Sequence, residues 1–270
     1  MVAFDAEAVR VAQLASRLGR LRVVSFARAA LAPGALVPGP FEPNLARRGE
    51  VLAALGRIQR DLGRGRRARL ILPDGVGRVA LVAGESSLEP RELARFRLGP
   101  GLPYPVEEAV VDGLPVGGGR LLAGAARRKV VAEYESVAAE AGFEPERVEL
   151  APLTAVSGLL RGRPANERGL DVALGDVAFG LAVREGGTLE AYRSRRLGTG
   201  PGTWPRLVRE LDREARLAGS SASPVIRVVG PGSEQAAAAL GAAGYRARTG
   251  WPDLDRAPGM DDVAWLGGVA

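Results

Sequence analysis

The sequence contains no histidine and no cysteine, and Lys129 is the single lysine among its 37 basic residues. These absences exclude a Ser-His-Asp triad, a cysteine nucleophile, a zinc site with nitrogen or sulfur ligands, and a disulfide. A general acid or base would have to be a carboxylate, Lys129, a tyrosine or water. A lysine-dependent phosphate loop is also excluded, because no G-x-x-x-x-G-K-[ST] motif occurs.

Long apolar runs are missing as well. No window approaches the ~18 apolar residues of a membrane-spanning helix. The first twenty residues are interrupted by charged side chains, so they lack the apolar core of a signal peptide: Asp5, Glu7, Arg10, Arg17 and Arg20. We therefore expect a cytoplasmic protein.

Aromatic residues are scarce, at 5% of the chain. That is too few to suggest stacking platforms for single-stranded nucleic acid. The net charge of +6 comes from arginines spread along the whole sequence, a pattern typical of a solvated surface. No nucleic-acid partner is predicted, and an acidic partner or an anionic membrane surface is the alternative use of this charge.

The composition is otherwise that of a globular protein. Hydrophobic residues make up 46% and charged residues 25% of 270 residues, enough to bury a real core in one large or two smaller domains. The first half begins with three short strand patterns whose spacing predicts an antiparallel meander, followed by a proline-rich loop, at 2–5, 9–14, 21–28 and 32–49. After a helix at 50–62, the pattern predicts strands at 69–72, 79–82, 120–125 and 148–150, and helices at 89–97, 127–141 and 153–160.

The second half repeats this order of elements. A polar stretch at 161–169 resembles a linker, and strands are predicted at 171–174, 178–184 and 189–194. A helix at 204–218, a near-continuous apolar strand at 225–229 and an alanine-rich helix to about 243 complete it. Both halves thus consist of three strands, a helix and a strand, which indicates a structural repeat without a sequence repeat.

Several stretches resemble a known family. They are the opening strands with Phe4-Asp5, the Leu-Pro-Asp strand end at 70–74, the proline-aromatic-proline segment at 102–109, the helix ending at Ala141-Gly142-Phe143, the turn at 230–233 and the closing small-residue segment at 265–270. Together they resemble the PilM family of actin-like assembly proteins of type IV pili and the cytoplasmic part of its type II secretion counterpart, the GspL family.

This resemblance implies an α/β fold of the actin-like class (ASKHA, ribonuclease H-like, also that of FtsA). In such a fold two related domains clasp a nucleotide, and a subdomain is inserted in the first. The expected boundaries are 1–165 for the first domain, with the insertion at about 68–148, and 166–270 for a reduced second domain.

The resemblance also implies a nucleotide site. Asp5 and Asp171 would hold Mg²⁺ through water, and Gly230 and Gly232 would approach the adenosine of ATP. Ser233, at the N-terminus of the following helix, would complete the nucleotide-binding residues. The phosphate hairpins depart from the pattern, however, because Ala6-Glu7-Ala8 follows Asp5 without a glycine or hydroxyl. The second hairpin has Ala173 in place of a glycine and an extra acidic residue, Asp176.

These departures predict a degenerate site, with no catalytic residue and no metal ligand assigned. Each residue also has an ordinary structural interpretation. Asp5 and Asp171 can be turn-forming carboxylates. The turn at 230–233 can be a strand-to-helix connection with Ser233 as N-cap.

The favoured function is therefore that of a scaffold rather than an enzyme. The resemblance implies a protein at the inner-membrane platform of a pilus or secretion machine, with a groove for the N-terminal cytoplasmic peptide of a PilN-like bitopic protein. It also implies contact with the assembly ATPase and self-association. The alternatives are an ATP-binding or ATP-hydrolysing actin-like protein, a small-molecule kinase of the same fold, and, on charge alone, a nucleic-acid-binding protein.

Overall fold

The computed structural model describes residues 1–17, 20–63, 66–84, 88–161, 169–175, 178–185, 188–197, 202–217 and 225–250. The predicted closing segment at 265–270 and most of the predicted linker lie outside these residues. The strands are β1 Val2–Phe4, β2 Ala8–Arg17, β3 Arg20–Ala30, β4 Arg67–Leu72, β5 Gly77–Ala83, β6 Ala109–Pro115, β7 Arg120–Arg127, β8 Glu144–Leu150, β9 Gly169–Leu174, β10 Ala178–Glu185, β11 Thr188–Arg196, β12 Val225–Val229 and β13 Arg246–Thr249. The helices are α1 Arg48–Leu62, α2 Pro90–Leu98, α3 Arg128–Glu140, α4 Ala151–Arg161, α5 Thr203–Leu217 and α6 Ser233–Ala242.

Two five-stranded sheets with the same topology form the two halves. Their strand orders are β3-β2-β1-β4-β8 and β11-β10-β9-β12-β13. In each, an antiparallel meander is extended by two parallel strands. The repeat predicted from the sequence is therefore present.

The strand register sets the correspondence between the halves. Phe4 pairs with Val9 in the first hairpin, and Leu174 pairs with Phe179 in the second. The two hairpins are thus related by a shift of 170 residues, from 4 to 174 and from 9 to 179. This shift decides which residues of the two halves occupy equivalent positions.

Two helices cover one face of each large sheet, and α4 packs on the other face of the second sheet through Ala155 and Leu159. In the first half α1 and α3 bury an apolar cluster in which Phe4 and Tyr134 meet edge to face, with ring centroids 5.0 Å apart. In the second half α5 and α6 bury Leu207, Leu211 and Leu240 against the strands. The central strands β1 and β9 are accordingly buried at every position.

A separate three-stranded sheet, of order β5-β7-β6, lies in the first half. Its central strand β7 is buried on both faces, because α2 covers one and the rest of the protein covers the other. It spans residues 77–127, since β4, α3 and β8 belong to the first large sheet and its helical layer. The separate sheet is therefore shorter than the predicted insertion of 68–148, and the division into domains stays a prediction.

The elements follow the sequence pattern closely, with three differences. Strands β6 and β13 were not predicted, and β8 begins at Glu144 rather than at residue 148. Both omissions are strands whose residues are partly exposed and contain glycine, proline or arginine, so their apolar alternation is weak.

Candidate functional site

The turns of the β1–β2 and β9–β10 hairpins lie at the same edge of their sheets as the carboxyl ends of the parallel strands β4 and β12. Ligands commonly bind at this edge in open α/β sheets. In the first half Ala3 lies beside Ile71, so Asp5 and Asp74 both follow at this edge. In the second half Ala173 lies beside Val229, which places Gly175 and the turn after Val229 at the equivalent edge.

Asp74 connects these two edges. A Cβ built on Gly175 would overlap the Asp74 carboxylate, so the second hairpin packs its backbone directly against that side chain. In the sequence, Asp74 stands only at the end of the Leu-Pro-Asp strand motif. Its position could have been found from the repeat, because Pro73 and Pro231 follow equivalent strands.

Asp5 lies buried in the turn after β1. Its Oδ1 accepts hydrogen bonds from the backbone N–H groups of Glu7, at 2.9 Å, and Ala8, at 2.7 Å. Its Oδ2 forms an ion pair with Arg10 on the adjacent strand. The geometry is that of a turn-forming carboxylate with its own cation.

Asp171 does not occupy the position equivalent to Asp5. With the shift of 170 residues, Gly175 is the residue equivalent to Asp5. Asp171 is equivalent to Met1, which precedes Asp5 by four residues. Asp171 is fully buried and accepts a hydrogen bond from Nε of Arg184 at 2.6 Å. Asp5 and Asp171, predicted together for Mg²⁺, therefore do not occupy equivalent positions, and a Mg²⁺ role for either stays a prediction.

The turn at 230–233 joins β12 to α6. Gly230 and Gly232 have φ of +106° and +74°, a conformation that disfavours side chains. The carbonyl of Gly230 accepts a hydrogen bond from the N–H of Ser233 at 3.1 Å. The N-cap is Gly232, and Ser233 is the buried first helical residue, so the prediction that Ser233 caps the helix is wrong by one position.

Trp204 lies over this turn. A Cβ on Gly232 would be 3.0 Å from Cη2 of Trp204, so the glycine admits the indole of α5. Both glycines predicted to approach adenosine thus have a structural role in the turn. Whether they also contact a nucleotide stays a prediction.

Three carboxylates lie on the first half at this edge, those of Asp5, Glu7 and Asp74, and the carboxylate of Asp5 forms an ion pair with Arg10. Tyr192 on β11 is buried close enough to Asp74 to be affected by its charge. Burial, together with that charge, raises the pKa of the Tyr192 hydroxyl above its usual range, so the phenol stays neutral. Among the described residues no group of three or more acidic side chains could hold a metal ion.

A groove of about 480 Å³ lies elsewhere, between the small sheet and the first large sheet. It runs between β6 and β8, which are the edge strands of their sheets. Apolar side chains line it: Leu72, Leu114, Leu122, Val131, Val148 and Leu153.

The polar wall of the groove comes from β4 and β8. Arg147 contacts Glu149 at 2.7 Å and Arg69 contacts it at 3.6 Å, so two cations share one carboxylate. Thr154 donates a hydrogen bond to the Leu150 carbonyl at 3.1 Å, which joins α4 to the end of β8. The groove therefore combines an apolar floor with charged groups held in fixed positions.

Comparison with solved structures identifies the fold. No family model and no curated protein matches the chain. Among solved structures, a chain of the PilM–PilN type IV pilus biogenesis complex superposes with a TM-score of 0.77 at 16% identity, over 99% of this chain and 95% of that one. The protein has an actin-like fold of the PilM type.

Two further structures share this fold. A Bacteroides thetaiotaomicron protein with an actin-like ATPase fold matches with a TM-score of 0.57 at 11% identity, over 98% of this chain and 93% of that one. The cytoplasmic domain of EpsL, an inner-membrane component of the Vibrio cholerae type II secretion system, matches with a TM-score of 0.53 at 13% identity, over 96% and 84%. The predicted actin-like fold class, with its likeness to PilM and GspL, is confirmed.

Proposed function

We propose that this protein is a scaffold of a type IV pilus or type II secretion assembly platform, on the cytoplasmic side of the inner membrane. In this role it binds the cytoplasmic N-terminal segment of a PilN-like bitopic partner. The groove between β6 and β8 is the observation that carries the proposal. Contacts with an assembly ATPase and with further copies of the chain are part of the same expectation.

The groove suits a short peptide for three reasons. Its two walls are edge strands, whose outward backbone N–H and C=O groups can pair with an extended segment. Its floor is apolar and offers side-chain pockets. The Arg69–Glu149–Arg147 cluster provides charged groups that can fix the orientation of a bound segment.

A titration with a labelled peptide tests this proposal. The probe is the cytoplasmic N-terminal segment of the PilN-like protein from the same genome, followed by fluorescence anisotropy. Leu114→Asp places a charge at the groove, where the side chain is 44% exposed, and should weaken binding at least about tenfold.

Val24→Asp is the matched control. Val24 is an exposed aliphatic residue on β3, outside the groove. It should bind the peptide like the wild type. Equal binding by the wild type and Leu114→Asp, or no binding by the wild type, would contradict the proposal.

ATP binding is the second candidate function. It is supported by the converging edges of the two halves at Gly175 and Asp74, the place where actin-like proteins are expected to hold nucleotide. Against it stand the carboxylates there and the lack of glycine in the first hairpin. Since Asp171 forms a buried ion pair, its replacement would test folding as much as binding.

Isothermal titration calorimetry of the wild-type chain with Mg-ATP is the direct test. Trp204 lies against Gly232, so its fluorescence supplies a second readout. The scaffold proposal predicts no heat and no fluorescence change at submillimolar ATP. Saturable binding at both readouts would establish the second candidate.

A further inference from the structure

The outer face of α2 differs from the rest of the surface. Its inner residues Leu93, Ala94 and Leu98 are buried against the small sheet. Phe96 points outward and is 68% exposed. It is the most exposed large apolar side chain among the described residues.

Three arginines accompany Phe96 on this helix. Arg91, Arg95 and Arg97 are all exposed, whereas the helix contains one carboxylate, Glu92. Arg97 lies over the Phe96 ring, with its guanidinium carbon 5.8 Å from the ring centroid. Leu88, two residues before the helix, adds a second apolar side chain that is 45% exposed.

These arginines have no carboxylate partner in the part of the chain that the structure describes. Many other arginines do, among them Arg10, Arg48, Arg67, Arg120, Arg127, Arg147 and Arg193. Unpaired cations around an exposed aromatic ring form a surface that can accept anionic groups without first breaking an ion pair.

We infer that this face, formed by Arg91, Arg95, Phe96 and Arg97 of α2 and by Leu88, binds an anionic lipid membrane. Arginines at headgroup depth with an aromatic side chain inserted between them are the pattern of an interfacial helix. An acidic protein would use the three charges but would need a pocket shaped to receive Phe96, whereas a bilayer takes up the ring without one. Charge complementarity and the exposed ring therefore favour lipid.

The contact is compatible with the peptide groove. α2 covers one face of the small sheet, and the groove opens on the other, where Leu122 and Gly124 line it. Membrane binding through α2 does not depend on the proposed function. Its test uses no partner peptide, so the two can fail separately.

The test is co-sedimentation of the full chain with phosphatidylcholine vesicles, with and without about one third phosphatidylglycerol. The wild type should bind only the anionic vesicles, and more weakly as salt rises. Arg91→Gln/Arg95→Gln/Arg97→Gln should lower the partition coefficient roughly a hundredfold, at about one arginine's electrostatic contribution each. Phe96→Ser should lower it about fivefold through loss of ring insertion.

A matched control removes the same charge from another helix. Arg206, Arg209 and Arg213 on α5 are exposed and likewise unpaired among the described residues. Replacing all three with glutamine should leave vesicle binding close to that of the wild type. Circular dichroism melts confirm that each variant folds.

Three outcomes would overturn the inference. An equal loss in the α5 variant would mean that net charge, not α2, drives binding. Equal binding to neutral vesicles would remove the role of the arginines. Tight binding to polyglutamate that Phe96→Ser leaves unchanged, without vesicle binding, would identify an acidic protein as the occupant.

Discussion

At the residue scale, both aspartates proposed for the nucleotide site are paired with an arginine of the neighbouring strand. Asp5 pairs with Arg10, and Asp171 pairs with Arg184. The second pair is fully buried, and the two η nitrogens of Arg184 have no hydrogen-bond partner among the described residues. Such a pair is costly to bury and costly to break.

Asp171→Ala should therefore lower the free energy of unfolding by about 3–5 kcal/mol, because it leaves the Arg184 cation buried without a counter-charge. Asp171→Leu/Arg184→Met, which removes both charges, should recover most of that loss. Urea unfolding of the two variants measures both values. An Asp171→Ala protein as stable as the wild type would show that the pair is not buried as described.

At the scale of elements, the proline-aromatic-proline segment joins the small sheet to the loop that precedes α1. Tyr104 is buried and meets Phe41 edge to face, with ring centroids 6.0 Å apart. Arg127 lies over Phe41 and bonds both Glu42 and Glu108, each at 2.8 Å. The motif that carries much of the family resemblance is thus a docking contact.

The loop that carries Phe41 depends on Asn44, which is fully buried. Its side chain accepts hydrogen bonds from the Gly39 N–H at 2.9 Å and the Tyr134 hydroxyl at 3.2 Å, and donates to the Phe41 carbonyl at 2.7 Å. Asn44→Ala should cost about 2–4 kcal/mol, because it leaves these groups without a partner.

Tyr134→Phe is the control, because it removes only the longest of the three bonds. It should cost about 1 kcal/mol. Thermal unfolding of both variants gives the comparison. Similar losses in the two would show that Asn44 does not organise the loop.

Local patterns predicted the helices and the central strands, because apolar spacing reflects which face of an element is buried. They missed β6 and the role of Asn44, since neither a mixed strand nor a loop hydrogen bond leaves a periodic signal. The different positions of Asp5 and Asp171 in their hairpins leave no periodic signal either. The equivalence of two residues depends on strand register, which only the pairing of Phe4 with Val9 and Leu174 with Phe179 reveals.

At the scale of the whole molecule, the small sheet bridges the two halves. The turn between β6 and β7 contains Gly117, Gly118 and Gly119, all with positive φ, and it packs on Thr188 of β11. Arg120 beside this turn donates a hydrogen bond to the Leu189 carbonyl at 3.1 Å. An apolar cluster containing Val116, Leu122, Leu189 and Tyr192 lies beneath.

Gly118→Ala should weaken this bridge, because the new Cβ would lie 2.7 Å from Cγ2 of Thr188. Gly244→Ala is the matched control, since Gly244 also has a positive φ, but a Cβ built on it has no atom of the described residues within 4 Å. Thr188→Ser removes Cγ2 and should restore stability in the Gly118→Ala background. Urea unfolding measures the free energy of unfolding of each variant. An equal loss of stability in Gly118→Ala and Gly244→Ala would contradict the described contact.

The central claim is that the actin-like fold serves here through its surfaces, above all the groove between β6 and β8. The most direct test places a photo-crosslinking amino acid at Leu114 in the groove, and at Val24 outside it, in cells that contain the full-length PilN-like partner. We predict a crosslink to the partner's cytoplasmic segment from position 114 and none from position 24. Crosslinking from position 24 alone, or from neither position while the partner co-purifies, would contradict the claim.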